Sequence, residues 1–306
     1  MNVLLVGEES AGIQTLRALA RSPHRVIGVM ASPSKQTIGE ATVWAVAQRS
    51  GYPVWPAGLV KDPAFADEVR GRQVDLILNV HSLYRIHPDV LDAARVGGFN
   101  MHPGPLPHYA GLNTVSWAIY RGERAYGVTV HKMVAGIDAG PIVYQASFPI
   151  ADDDTALSLY SKCLKAGLPL ILQLLDTASA APDALPLIPQ DLTKRAYFGK
   201  GTPEQGRLTW SRPAREVVNF VRACDYFPFP SPWGYPRARR NGDEIAIAKA
   251  SLTGRRCDAA PGTVGAAQRT GVTIACADEW LCLHTVILNG QRVDAGEVLK
   301  PSERLG

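Results

Sequence analysis

The chain has 306 residues, of which 46% are hydrophobic and 20% charged, a balance typical of a folded globular protein. The 32 Lys and Arg outnumber the 28 Asp and Glu, and the net charge of +4 suits an acidic small ligand as well as nucleic acid. No apolar run reaches the roughly 18 residues of a membrane helix, and the first residues lack the basic region and cleavage site of a signal peptide. We therefore expect a cytoplasmic protein with no membrane partner. The five scattered cysteines contain no C-x-x-C pair, so we also expect reduced thiols and no metal site.

The first half of the chain alternates strand and helix patterns. Short apolar runs predict strands at Val3–Gly7, Arg25–Ala31, Tyr52–Trp55, Asp75–Val80, Gly98–Met101, Gly127–Met133 and Ile142–Pro149. Helical spacing predicts helices at Ala11–Arg21, Ile38–Ser50 and Pro63–Gly71, and a long helix in DDDTALSLYSKCLKAGLPLILQLLDTA. This rhythm predicts an α/β fold, with a doubly wound, mostly parallel sheet and helices on both faces.

The composition changes at Ser179, where an Ala-, Pro- and Leu-rich stretch begins. We therefore divide the chain into a first domain at 1–178, a linker at 179–205 and a second domain at 206–306. The second domain opens with a predicted helix at Pro213–Cys224. Short strands are predicted after it, at Glu244–Lys249, Gly262–Val264, Thr273–Ala275, Trp280–Thr285 and Val286–Asn289. Several short strands at close spacing indicate a small β-barrel or sandwich.

The segment FNMHPGPLPHYAGLN carries the first candidate site residues. Side chains alternate along a strand, so Asn100 and His102 lie on one face at the carboxyl end of the sheet, where open α/β folds bind ligands. The proline-rich run that follows can be neither helix nor central strand. Two interpretations stay open from these residues alone: the loop covers a pocket beside the imidazole, or His102 ends a strand and the prolines turn the chain.

The segment VAGIDAGP places Asp138 on a glycine-rich loop after a strand. Alone, an acidic residue in such a loop is typical of a turn. Together with Asn100 and His102 it forms a set suited to acyl transfer. The carboxylate can orient the imidazole, and the amide and imidazole can face an oxyanion or take a proton from an amine.

These motifs occur in a recognisable order. They are N-x-H-P-x-x-L-P-x-x-x-G from Asn100, G-V-T from Gly127, and G-x-D-x-G around Asp138. The pattern resembles the 10-formyltetrahydrofolate-dependent formyltransferases, which include enzymes acting on glycinamide ribonucleotide, methionyl-tRNA and amino sugars. The resemblance covers most of residues 1–175 and implies a Rossmann-like catalytic domain. The segment RLTWSRPAREVVNFVRACDYFPFPSPWGY and the strands after it are similar to the small OB-like C-terminal barrel of the tRNA- and sugar-modifying members.

The resemblance also implies roles for individual residues. Asn100, His102 and Asp138 would be catalytic, with an amine attacking the formyl carbon of 10-formyltetrahydrofolate. Folate contacts, largely through the backbone, would come from Ser82, Leu83, Tyr84, Ile86, Val134, Ala135, Gly136 and Asp138. The acceptor would contact Pro105, Leu106, Tyr109, Gly111 and Asn113. This loop departs from the family pattern at Gly104-Pro105 and Ala110, where relatives carry S-L and a basic residue, so we expect an unusual acceptor.

The acceptor class follows from the distribution of cations. The tRNA-modifying relatives carry a basic insertion after the second strand, whereas ASPSKQTIGEATVWAV has one lysine and no arginine. The dense basic patch is Arg237, Arg239 and Arg240, which is also typical of a solvated turn. We therefore expect a small amine acceptor, nucleotide-linked or an amino-acid derivative, and rank nucleic acid below it. Alternatives are a methionyl-tRNA formyltransferase, a formyltetrahydrofolate hydrolase and a non-catalytic folate or nucleotide binder. A homodimer is left open.

Overall fold

The structure is a computed structural model that describes residues 1–33 and 41–306. Its strands are β1 Asn2–Gly7, β2 Arg25–Ala31, β3 Val54–Pro56, β4 Leu76–Val80, β5 Gly97–His102, β6 Ala110–Gly111, β7 Ala125–Lys132, β8 Ile142–Pro149, β9 Tyr197–Phe198, β10 Arg237–Arg240, β11 Asp243–Arg256, β12 Val264–Ala267, β13 Val272–Ala275, β14 Glu279–Leu288 and β15 Gln291–Asp294. Its helices are α1 Glu9–Ala20, α2 Val43–Arg49, α3 Phe65–Gly71, α4 Pro88–Asp92, α5 Thr114–Tyr120, α6 Ala156–Ala180, α7 Ala214–Ala223 and α8 Ala295–Val298.

Two compact units interleave along the chain. The first unit comprises Met1–Gly111, Gly127–Phe148 and Lys162–Tyr197, and the second comprises Leu112–Tyr126, Pro149–Ser161 and Phe198–Gly306. The boundaries at 178 and 206 stay a prediction.

The first unit is built on a seven-stranded sheet with the order β3-β2-β1-β4-β5-β7-β8. Strands β1 to β5 run parallel, and β7 pairs antiparallel with β5, which sets Asn100 opposite His131. All five residues of β4 are buried, as expected for a central parallel strand. The predicted α/β fold with a mostly parallel sheet is confirmed.

Close contact between α6 and the sheet depends on Gly167. A Cβ atom at this position would collide with the Met101 side chain of β5 and come within 3.1 Å of Val128 on β7. Glycine costs helix stability, but here it lets the helix backbone approach the two strands that carry the candidate site.

The second unit contains an antiparallel sheet with the order β10-β11-β14-β13-β12, and β15 pairs with β14. The two edges of this sheet are joined by residues 303–306. Arg239 of β10 exchanges two backbone hydrogen bonds with Gly306, and Val264 of β12 donates to the Glu303 carbonyl at 2.8 Å. The Leu305 N–H donates to the Gly262 carbonyl at 2.9 Å. The sheet thus closes through this segment, which satisfies edge groups that would otherwise be unpaired.

Several predicted elements differ from the observed ones. The predicted strands at Trp280–Thr285 and Val286–Asn289 are wrong as separate strands, because no turn residue interrupts the single strand β14. Helix α2 begins at Val43, after Thr42 caps it by accepting the Ala45 N–H at 3.1 Å. The predicted helix at Ile38–Ser50 was thus too long, and its first residues lie outside the described part of the chain.

Other elements were not predicted at all. They are α4, α5, α8, β10 and β15, and the two-residue strands β6 and β9. The sequence TVSWAIY of α5 is rich in β-branched and aromatic residues, which have low helix propensity. Its buried side chains, among them Val115 and Ile119, show that tertiary contacts override this preference.

Within residues 1–33 and 41–306, no helix combines the length and apolar composition needed to cross a membrane.

We expect Gly262→Ala to destabilise the second unit by more than Gly290→Ala. Both glycines have positive φ, +85° and +78°, so both substitutions strain the backbone similarly. A Cβ at position 262 would also collide with the Leu305 carbonyl oxygen, whereas space is open at position 290. Urea denaturation should give a free energy of unfolding lower by a further ~1–3 kcal/mol for Gly262→Ala. Equal losses of unfolding free energy in the two variants would show that residues 303–306 can move away from position 262 without an energetic cost.

Candidate active site

His102 ends strand β5 and is buried, with 4% of its surface exposed. Both ring nitrogens face acceptors. Nε2 lies 2.5 Å from the Tyr109 carbonyl oxygen, and Nδ1 lies 3.6 Å from Oδ2 of Asp138. Burial is the dominant influence and lowers the pKa of His102, while Asp138 and the Tyr109 carbonyl act in the opposite direction.

Asp138 lies in the loop between β7 and β8, in a left-handed conformation with φ of +50°. Its Oδ2 accepts the Gly111 N–H at 2.9 Å. Burial alone would raise the pKa of this carboxyl. The charge that His102 carries when protonated, together with the Gly111 N–H, holds the pKa of Asp138 well below its usual range. The group is therefore a carboxylate at every pH at which the protein would work.

Asn100 has its amide orientation fixed from two sides. Its Oδ1 accepts from Nδ2 of Asn79 at 2.9 Å, and its Nδ2 lies 3.1 Å from Nε2 of His131. Nδ1 of His131 lies 3.0 Å from the Lys132 carbonyl oxygen, so this nitrogen carries the proton and donates. Nε2 of His131 is then the acceptor for the Asn100 amide.

His131 also links the amide to the acid, because its Nε2 lies 3.5 Å from Oδ1 of Asp138. The structure thus brings together the three residues singled out in the sequence and adds His131 and Asn79. The sequence pattern around each of these two residues could have identified it. Asn79 is the polar residue in an otherwise apolar strand, and His131 alternates with Val128 and Val130 on a strand. That alternation by itself predicts an ordinary strand, so it does not reveal that His131 is buried, with 2% of its surface exposed.

The proline-rich loop after His102 is fastened to the sheet. Oγ1 of Thr129 donates to the Gly104 carbonyl at 2.7 Å and accepts the Leu106 N–H at 3.1 Å. Nε2 of Gln145 donates to Thr129 Oγ1 at 2.8 Å and to the Leu106 carbonyl at 3.0 Å. A Cβ at Gly104 would approach Nε2 of His102 to 2.8 Å. The loop is therefore held against the imidazole.

The residues predicted to contact an acceptor have different environments. Leu106 and Tyr109 are buried and Pro105 is half-buried. Tyr109 and Gly111 contribute backbone groups to the His102–Asp138 pair. Asn113 belongs to the second unit, where it precedes α5 with φ of +54° and makes no side-chain cap. Their role in acceptor binding stays a prediction.

The residues predicted to contact folate lie on two loops of the first unit. One guanidinium joins these loops, since Arg85 donates to the Ala135 carbonyl at 2.9 Å. The apolar side chains of Leu83 and Val134 are exposed, at 79% and 45%. Ser82 and Ile86 are buried, and Tyr84 is half-buried with the Lys61 ammonium 4.9 Å from its ring centre. Ala135 and Gly136 complete the second loop.

Comparison with known proteins agrees with this geometry. The family described as formyl transferase matches residues 2–175, and the formyl transferase C-terminal domain matches residues 200–302. Over 295 residues the chain is 30% identical to methionyl-tRNA formyltransferase of Pseudomonas syringae pv. syringae, covering 95% of this chain and 91% of the relative. It is 28% identical to that of Pseudomonas fluorescens, covering 95% and 89%.

Its fold is similar to the crystal structure of the N-formyltransferase from Helicobacter canadensis in complex with folinic acid and dTDP-3-aminofucose. That match has a TM-score of 0.70 at 19% identity and covers 93% of this chain and 99% of that one. Since the family pattern extends over both halves of the chain, this protein belongs to the formyltransferase family and is an N-formyltransferase.

Proposed function

We propose that the protein transfers the formyl group of 10-formyltetrahydrofolate to the amine of a small biosynthetic intermediate, either an amino sugar nucleotide or an amino-acid derivative. The observation that carries the proposal is the buried imidazole of His102, which lies between the Asp138 carboxylate and the Tyr109 carbonyl, on the strand that also carries Asn100.

The His102–Asp138 pair can accept the proton that the attacking amine loses. Since burial lowers the pKa of His102, the ring is neutral near pH 7 and carries one N–H. A neutral ring can donate to only one of its two acceptors, whereas a doubly protonated ring donates to both. The Asp138 carboxylate then stabilises the imidazolium, which can return the proton to N10 of the folate as the bond between N10 and the formyl carbon breaks and tetrahydrofolate leaves.

The side-chain amide of Asn100 can stabilise the tetrahedral oxyanion. Its amide is oriented by Asn79, which holds Oδ1, so the Nδ2 group cannot exchange places with the oxygen without losing that bond. One N–H of Nδ2 goes to His131. We assign the other N–H to the oxyanion, where a fixed donor costs no reorganisation during the reaction.

The two loops predicted to bind the folate offer a suitable surface for a flat conjugated ring. Leu83 lies on one loop, and Val134 and Ile137 lie on the other, all with exposed apolar side chains. Backbone groups of the same loops supply donors and acceptors for a pterin edge. The Helicobacter canadensis enzyme, which has this fold, is bound to folinic acid, and this supports the same class of donor here.

The charges of the second unit favour a small acceptor over tRNA. Arg237 lies 3.1 Å from Glu244, and Arg240 lies 3.0 Å from Glu303, so two of the three cations in the basic patch are paired with carboxylates. A tRNA acceptor would need several such cations for its phosphates.

Methionyl-tRNA is the second candidate acceptor. The observation in its favour is that the similarity to methionyl-tRNA formyltransferases extends over 95% of the chain, through both domains.

A panel of acceptors will separate these candidates. With 10-formyltetrahydrofolate, we expect tetrahydrofolate release that depends on an amino sugar nucleotide or amino-acid amine and changes little between about 50 and 200 mM salt. Release with methionyl-tRNA that falls steeply over this range would instead identify tRNA. Release without any amine would indicate a hydrolase, and no release a non-catalytic binder.

We expect His102→Asn to lower kcat by about 10²–10⁴-fold, because the substitution removes the group that accepts the proton. The matched control is His87→Asn. His87 accepts the Asp89 N–H as the cap of α4, a role that asparagine also fills. Steady-state kinetics should show the control at the wild-type rate. An equal kcat for His102→Asn would exclude the assigned role.

We expect the stability lost in Asp138→Asn to depend on pH. The folded pKa of Asp138 lies below its unfolded value of about 3.9. The carboxylate therefore stabilises the fold fully above that unfolded value, and this contribution is lost as the pH falls toward the folded pKa. Urea denaturation should show a deficit of about 1–3 kcal/mol at pH 7 that shrinks below about pH 4.

The control for this experiment is Asp183→Asn, at an exposed position. A deficit for Asp138→Asn that stays the same at pH 3 and pH 7 would show that the charge contributes nothing.

A further inference from the structure

A segment beyond α6, residues 185–195, contacts the loop that carries Asp138; we call it the strap. Ile188 of the strap pairs with Ile142 at the start of β8 through two backbone hydrogen bonds of 2.8 and 2.9 Å. The strap is thus aligned with the strand that follows the Asp138 loop. It falls within the span 179–205 that composition predicts to be a linker.

Gln190 of the strap binds the loop on both sides of its centre. Its Nε2 donates to the Asp138 carbonyl at 2.9 Å and to the Gly140 carbonyl at 2.6 Å, so both N–H groups of the amide are used. The Oε1 of the same amide is buried and accepts no hydrogen bond. Burying an unpaired acceptor is costly, and the two donated bonds offset that cost. The contribution of the Gln190 side chain is therefore the two hydrogen bonds that it donates to the Asp138 loop.

Arg195, at the end of the strap, adds a third bond. Its guanidinium donates to the Ile137 carbonyl at 2.9 Å and lies 4.9 Å from the centre of the Tyr197 ring. The carbonyls of Ile137, Asp138 and Gly140 are therefore all held from one segment.

The Asp138 loop needs such support. Asp138 has φ of +50°, a conformation that non-glycine residues rarely adopt and that persists only when its surroundings impose it. The carboxylate must also stay near both imidazoles, at 3.6 Å from His102 and 3.5 Å from His131. A shift of about 1 Å in a catalytic group can cost up to a hundredfold in rate.

We propose that Gln190 is a positioning residue for formyl transfer, which acts by fixing the backbone of Asp138 and so the distance between its carboxylate and His102. The inference rests on the proposed function in assigning Asp138 its role in the reaction. Gln190 touches no reacting atom, so its effect passes through Asp138.

The test is Gln190→Met, which keeps the length of the side chain and removes its donors and its orphan acceptor. We expect kcat to fall about tenfold, with KM for folate and amine within about twofold. In an Asp138→Asn background the same substitution should lower kcat no further, because the carboxylate it positions is already absent. An undiminished kcat in Gln190→Met, or an equal fall in both backgrounds, would overturn the inference.

A second measurement needs no turnover, so it stands even if the proposed function fails. The nearby carboxylate raises the pKa of His102 against the effect of burial. Moving the carboxylate away should shift the NMR titration midpoint of the His102 ring to lower pH in Gln190→Met. The matched control is Gln14→Met, at an exposed position on α1, which should leave the midpoint and kcat unchanged. An unshifted midpoint in Gln190→Met would show that the loop holds its place without Gln190.

Discussion

The burial of the Asp138 carboxylate is the constraint on which the site depends. Taking a carboxylate out of water costs several kcal/mol unless hydrogen bonds and charges replace its hydration. Here the Gly111 N–H donates to the carboxylate at 2.9 Å, and the His102 imidazole lies 3.6 Å from it. The sheet order matters for this reason: β5 and β7 lie side by side, so His102 and His131 can face one acid. A glycine is also required at position 140, because a Cβ there would collide with the Lys132 carbonyl and displace the loop that carries Asp138.

Residue spacing, together with the order of the motifs, was sufficient to predict that Asn100, His102 and Asp138 lie close together, while their catalytic roles stay a prediction. It was insufficient for His131 and Asn79, whose importance comes from pairing across strands. The partner of His131 is Asn100, 31 residues away, and a register between β5 and β7 cannot be obtained from either strand alone. The same limit applies to Tyr109, which contributes a carbonyl that its side chain does not reveal.

Strong local patterns gave the central strands of the first unit to within a few residues. The errors lie where local preference and tertiary contacts disagree. Helix α5 has the composition of a strand, and β14 runs without a break through two predicted strands. The closure of the second sheet has a similar origin. Residues 303–306 carry no periodicity, yet their backbone groups satisfy both edge strands. Contacts of this kind depend on the assembled sheet and leave no trace in the order of side chains.

The position of the strap bears on where the catalytic part of the chain can be cut. The donors that hold the Ile137, Asp138 and Gly140 carbonyls come from Gln190 and Arg195, beyond residue 175, where the first family match stops. An excised module ending at residue 178 would keep every residue of the histidine–carboxylate cluster and lose the groups that fix its geometry. The smallest piece that retains this support extends past Arg195. Exchange of C-terminal domains between relatives should therefore join the chains after the strap, so that each catalytic loop keeps the segment that holds its carbonyls.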